Sequence, residues 1–168
     1  MTSCDTSVLI NFLKIDRMDL LEKCSHSFFI TDHVQEEITT HYSDQHTLLQ
    51  TALHQKILQK ADVESSEEFA VFAQLSKSGQ LGTGECAAIA LASCRKYYLL
   101  IDDVQAIKKA SSLIAPNFIL RTQDLIVLMI QEHLLEIKEA DYLIEVWAKQ
   151  HRFKLKVKSF EEFMSYAL

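Results

Sequence analysis

The chain has 168 residues, 48% of them apolar and 24% charged, enough to bury a sizeable core in one domain spanning residues 1–168. No apolar run approaches the roughly 20 residues of a membrane-spanning helix, so a membrane protein is not expected. The net charge of −6 gives no global attraction to nucleic acid, although a carboxylate cluster built to hold cations would itself supply part of that charge.

The first ten residues carry Asp5 and no basic stretch, so a signal peptide is not expected. The cysteines Cys4, Cys24, Cys86 and Cys94 form no C-x-x-C pair, and a chain of this size does not need disulfide staples. They read as reduced, mostly buried thiols of a cytoplasmic protein. With three Gly and one Pro, the chain has few breakers and favours helix.

Thr2-Ser3-Cys4 is a short extended segment, and Val8, Leu9, Phe12 and Leu13 then recur at helical spacing, so a helix starts just after Asp5. A short helix over Arg17–Lys23 precedes a buried strand at Ser27–Thr31. Asp32 follows as an N-cap, with Glu36 and Glu37 in the early turns of the next helix. His41–Lys60 reads as a long polar helical stretch with Leu48, Leu49, Leu53, Ile57 and Leu58 on one face. That face suits an ordinary core contact or a homodimer surface. Glu67–Lys77 is another amphipathic helix.

After the break at Gly79–Gly84, Thr83 caps a helix running to Lys96. It is dense in small residues (Ala87, Ala88, Ala90, Ala92, Ser93) that allow close packing on a sheet. Tyr97–Ile101 is a continuous apolar run typical of a central parallel strand. It ends in Asp102-Asp103, and a helix follows through Ser112. Phe118–Leu120 is a further strand, and helices follow near Gln123–His133, Lys138–Gln150 and Phe160–Ala167. Between the last two, Arg152, Lys154, Lys156 and Lys158 alternate with Phe153, Leu155 and Val157, the pattern of a solvated edge strand or of a cationic stripe facing phosphates. This alternation of strands and helices predicts an α/β fold, a three-layer α/β/α sandwich around a mostly parallel sheet.

Open parallel sheets place their sites beyond the carboxyl ends of the strands. Asp5, Glu37, Asp102 and Asp103 all follow strands, and Glu85 opens a helix that should pack beside them. Glu37 lies beside the apolar stripe of Val34 and Ile38, which favours it over Glu36. Each acid also has a plainer reading: Asp5 as a simple N-cap, Glu37 and Glu85 as acids at helix starts. Asp102 and Asp103 gain nothing from packing and repel one another. Carboxylates gathered in this way disfavour joint ionisation unless a hard cation such as Mg²⁺ or Mn²⁺ lies among them.

These residues resemble a PIN domain. Asp5-Thr6-Ser7-Val8-Leu9-Ile10 is similar to the family's opening motif, and Val34-Gln35-Glu36-Glu37-Ile38 to its second. Leu81 to Ala92, with Gly84-Glu85, resembles the third motif of one subgroup, and Ile101-Asp102-Asp103-Val104-Gln105-Ala106 the fourth. The resemblance extends through Ile119–Phe163 and so covers nearly the whole chain. It implies an Mg²⁺- or Mn²⁺-dependent endoribonuclease acting on an RNA substrate, often with an antitoxin protein as partner. Asp5, Glu37, Glu85 and Asp103 would then be metal ligands, and Asp102 a further ligand or a supporting acid. The chain departs from the family in its polar first strand, in Glu85 where Asp is frequent, and in Arg121 and Asp124 where the subgroup often has Gly. These departures keep open an alternative, a PIN-like module that binds nucleic acid or protein with weak or no catalysis.

Overall fold

The Tyr98–Leu100 strand is flanked on both sides by chain segments that can hydrogen-bond only in parallel, because each returns through a helix. In the computed structural model, which describes residues 1–167, the strands are β1 (Thr2–Cys4), β2 (Phe28–Ile30), β3 (Leu58–Lys60), β4 (Tyr98–Leu100) and β5 (Ile119–Leu120). They form one parallel sheet in the order β3-β2-β1-β4-β5. The helices are α1 (Thr6–Lys14), α2 (Met18–Lys23), α3 (Asp32–His41), α4 (His46–His54), α5 (Ser66–Ser76), α6 (Thr83–Arg95), α7 (Val104–Ala110), α8 (Thr122–Gln131), α9 (Ile137–Gln150) and α10 (Phe160–Ala167). The result is a three-layer α/β/α sandwich.

Successive residues of a strand face opposite sides of the sheet, and β4 shows the consequence. Leu100 joins the apolar cluster that contains Phe12, Phe28, Ile30, Leu58 and Trp147. Leu99 and Ile101 join the second cluster with Cys86, Ile89, Ala106 and Ile114. The polar residues of β1 are satisfied rather than exposed. Ser3 is fully buried and its Oγ donates to the Ala88 carbonyl at 3.0 Å, while Thr2 Oγ1 shares a 2.7 Å hydrogen bond with His26 Nδ1. The small residues of α6 allow that approach. Ala87, Ala88 and Ala92 are buried.

The structure departs from the sequence expectations in four places. Thr31, not Asp32, caps α3, its hydroxyl accepting from the Val34 N–H at 3.3 Å; Asp32 is the first helical residue. Gly82 occupies the N-cap of α6, and Thr83 is already helical. His41–Lys60 is not one helix, because a 3₁₀ turn at Ser43–Gln45 precedes α4, and Leu58–Lys60 is the edge strand β3. Arg152–Lys158 forms no strand, although its alternation survives: Val157 is buried and the four basic residues are exposed.

Most of the left-handed helix ends here are not glycine; Gly79, φ 61° past α5, is the exception among the described residues. Asp16, Lys56, Lys96, His133 and Arg152 all have φ between 53° and 61°, each just past a helix. The left-handed conformation stops a helix whatever residue adopts it, at a cost that glycine avoids. Cys4, Cys24 and Cys86 are buried and all four cysteines are free thiols. Among the described residues, no helix is long and apolar enough to cross a membrane.

Candidate functional site

The sheet order reverses between β1 and β4, because the chain runs outward to β2 and β3 on one side and to β4 and β5 on the other. A crevice opens beyond the strand ends at such a switch point. Asp5 directly follows β1 and Asp102-Asp103 follow β4, two strands in register at Cys4 and Leu100. The Asp5 N–H donates to the Leu100 carbonyl at 2.9 Å, which fixes the two acidic segments side by side.

Asp5 is 2% exposed. Its Oδ2 accepts from the Ser7 N–H at 2.9 Å and so caps α1. Its Oδ1 is buried with no hydrogen-bond partner. Burial pushes the Asp5 carboxyl up to about 6; the Ser7 hydrogen bonds oppose that shift and the negative charge of Glu37 adds to it. The capping role and an unsatisfied oxygen thus coexist in one side chain.

Glu37 reaches the same place from α3. Its Oε2 accepts from the Thr6 Oγ1 hydroxyl at 3.0 Å. A Cβ at Gly84 would stand 2.6 Å from that oxygen, so the absence of a side chain at the start of α6 makes room for Glu37. Glu36 is exposed. Glu85 lies in the first turn of α6, where its Oε2 accepts from the Gly82 N–H at 2.9 Å. Its carboxyl is pushed up to about 7, chiefly by burial; the Gly82 N–H opposes, and the charges of Asp5, Asp103 and Glu37 add. Asp103 is exposed at the N-cap of α7, with Oδ1 accepting from the Ala106 N–H at 2.8 Å. Asp5, Glu37, Glu85 and Asp103 therefore form one electrostatic group.

Asp102 points elsewhere. Its Oδ2 accepts from the Thr122 hydroxyl at 2.6 Å and from Asn11 Nδ2 at 3.4 Å, and its Oδ1 accepts from the Thr122 N–H at 3.0 Å. Arg121 Nε stands 3.7 Å from Oδ1. Burial pushes its carboxyl up, and the Thr122 hydrogen bonds and the Arg121 charge pull it back. Its backbone N–H donates to Ser7 Oγ at 3.0 Å, so Ser7 ties β4 to α1. Thr6 and Thr122 were not singled out in the sequence. A hydroxyl in a helix's first turn is too common a feature to mark either one.

Asn11 completes this inner support. Its side chain bridges the Ser7 carbonyl, Asp102 and the Thr122 hydroxyl, and its carbonyl accepts from Trp147 Nε1 of α9 at 2.8 Å. The C-terminal helices thereby brace the helix that Asp5 caps.

A family model described as PIN domain matches residues 1–166. The chain belongs to the PIN-domain family. PIN domains are generally nucleases and typically use divalent metals. No curated protein matches the chain's sequence. In this PIN domain, among the described residues, no three His, Cys, Asp or Glu side chains are gathered closely enough to form a ready ligand set. The donor chemistry nevertheless fits a hard divalent cation. All donors are carboxylate oxygens, Asp5 Oδ1 is buried without a partner, and Asp5 and Glu85 are both burdened by their neighbours' charge.

Proposed function

We propose that this PIN domain is an Mg²⁺- or Mn²⁺-dependent endoribonuclease, with Asp5, Glu37, Glu85 and Asp103 as its metal ligands and Asp102 as the acid that orders the crevice. The observation that carries this reading is Asp5. It is a buried carboxylate with one oxygen unpartnered, at the switch point of the sheet, surrounded by acids rather than cations. When bound, divalent metal supplies charge neutralisation for these carboxylates and for the phosphodiester, together with an activated water.

The chain's own residues do the positioning. The Ser7 N–H holds one oxygen of Asp5 and leaves the other for a ligand. Thr6 orients Glu37, and the Gly82 N–H orients Glu85. Thr122 and Asn11 satisfy Asp102, which keeps the β4 end fixed while Asp103 faces solvent. Lys108 and Lys109, in the last turn of α7 after Asp103, are placed to meet a substrate backbone.

A toxin role belongs to the same reading. A cognate antitoxin would be a protein whose basic side chain enters the acidic crevice, competing with the cation for these carboxylates. The test of the reading is metal titration with single-stranded RNA. Cleavage should appear with Mn²⁺ or Mg²⁺, vanish with chelator, and be lost in Asp5→Asn and Asp103→Asn. Metal binding without cleavage of varied RNAs would instead favour a binding module.

A further inference from the structure

Between α3 and the start of α6 lies a cavity of about 400 Å³, with His33, Glu36, Glu37 and His41 on one wall and Gly82 and Thr83 on the other. That volume is on the scale of small-molecule sites. Glu37 belongs both to this wall and to the carboxylate group, and Gly82 donates to Glu85. The cavity is therefore continuous with the crevice where cleavage is proposed.

Its chemistry narrows the occupant. The walls carry two carboxylates and no Lys or Arg, so a phosphate would be repelled. A purely apolar group would leave Glu36 and the imidazoles without partners. A neutral planar ring with N–H donors on its edge satisfies both constraints. The His33 ring provides a face for it, fixed in plane by a parallel stack on Phe72 of α5, with centroids 5.3 Å apart and 9° between the planes.

We propose that this cavity is a base subsite. It takes one unstacked nucleobase of single-stranded RNA next to the scissile phosphodiester, the base lying against His33 while Glu36 accepts from its exocyclic amino group. Single-stranded RNA is read in this way, by splayed bases stacked on flat side chains and hydrogen-bonded at their edges. A carboxylate acceptor favours bases with an amino group, such as cytosine, over uracil. The proposal rests on the nuclease reading for its location and adds to it a substrate-selecting site built on His33 and Glu36.

Two measurements test it. The first is binding of single-stranded RNA carrying one 2-aminopurine, followed by fluorescence in Ca²⁺ buffer. Wild type should change the probe's emission on binding, His33→Ala should lose that change, and His33→Phe should restore it because the flat face returns. The second is Mn²⁺-dependent cleavage of RNAs that differ at one base beside the cut. His33→Ala should raise KM by roughly 5- to 30-fold with kcat nearly unchanged, the scale of one lost base stack. Glu36→Gln should narrow the preference for amino-bearing bases over uracil.

An emission in wild type that does not change on binding overturns the subsite. So does cleavage that requires Asp5 but is indifferent to both His33→Ala and Glu36→Gln. A His33-dependent emission change without Asp5-dependent cleavage upholds the base subsite and removes the nuclease reading instead.

Discussion

The two ends of α6 present the same chemistry with opposite outcomes. At its last turn, Arg95 meets Glu68, which is 3% exposed. Glu68 accepts from Arg95 Nε at 2.6 Å and from the N–H groups of Glu64 and Ser65 at 2.8 and 3.0 Å. These partners hold its carboxyl down at about 2, the Arg95 hydrogen bond foremost. At the first turn, Glu85 and the neighbouring Asp5 are surrounded by acids, and burial raises them to about 7 and about 6. Buried carboxylates alone say little. What separates a structural acid from a functional one is whether the protein itself supplies the positive partner.

That contrast makes Asp5 the position where substitution should matter most. Asp5→Asn keeps the cap on α1, because Asn is as good a capping residue, but removes the ligand charge. Cleavage should fall by roughly a thousand-fold or more, about 4 kcal/mol of lost barrier reduction. In chelator at pH 7.5 the same variant should melt higher than wild type. The sign follows from linkage. Its folded pKa of about 6 lies above the unfolded value of about 3.9, so ionised Asp5 costs stability, with the cost absent below that lower value and complete above the higher one. Glu85→Gln should shift the melting point in the same direction.

The other end of α6 should behave in the reverse sense. Arg95→Met leaves Glu68 buried and unpaired and should cost about 3 kcal/mol at pH 7, read from denaturant unfolding. In wild type the contribution of Glu68 is complete above its unfolded pKa of about 4.3 and is lost as pH falls toward 2. Acid titration of wild type and Glu68→Gln should diverge across that window. Neither change should alter the metal dependence of cleavage.

Gly84→Ala sharpens the distinction with a smaller effect. The added Cβ comes too close only to the carboxylate end of Glu37, at 2.6 Å, while Val34 Cγ2 at 3.4 Å is an ordinary contact, so the fold should tolerate it while Glu37 is displaced. The melting point should change little and cleavage should fall roughly ten-fold, about 1.4 kcal/mol. Thr122→Val removes the 2.6 Å hydrogen bond to Asp102 without removing a metal ligand. It should destabilise the protein by about 1–2 kcal/mol and lower kcat only in part, as thermal melts and initial rates would show.

The carboxyl edge of the sheet was legible in the sequence because its signals are local. Tyr97–Ile101 is an uninterrupted apolar run that ends in two acids, and no other arrangement of those residues is comfortable. The spacing of Glu37 from Val34 and Ile38 likewise gave its face on α3. What was not legible depends on distant partners. Asp102 and Asp103 look equivalent in sequence, yet Thr122 and Asn11 draw Asp102 inward while Asp103 caps α7.

Edge strand β3 escaped because only Leu58 of its three residues is buried. With Leu53 and Ile57 just before it, Leu58 completes a helical stripe as well as it starts a strand. Arg152–Lys158 failed in the opposite direction. Its period of two is real burial alternation, but the segment joins no strand of the sheet. The helix ends were blurred because left-handed Lys, His, Asp and Arg residues stand where glycine would have announced them.

The most direct test is the melting temperature of wild type and Asp5→Asn at pH 7.5, each measured in chelator and in Mn²⁺. Relief of acidic repulsion by a divalent cation requires wild type to gain stability with Mn²⁺, and requires Asp5→Asn to start higher and gain little. A wild-type melting point indifferent to Mn²⁺, or an equal gain in both proteins, would contradict it.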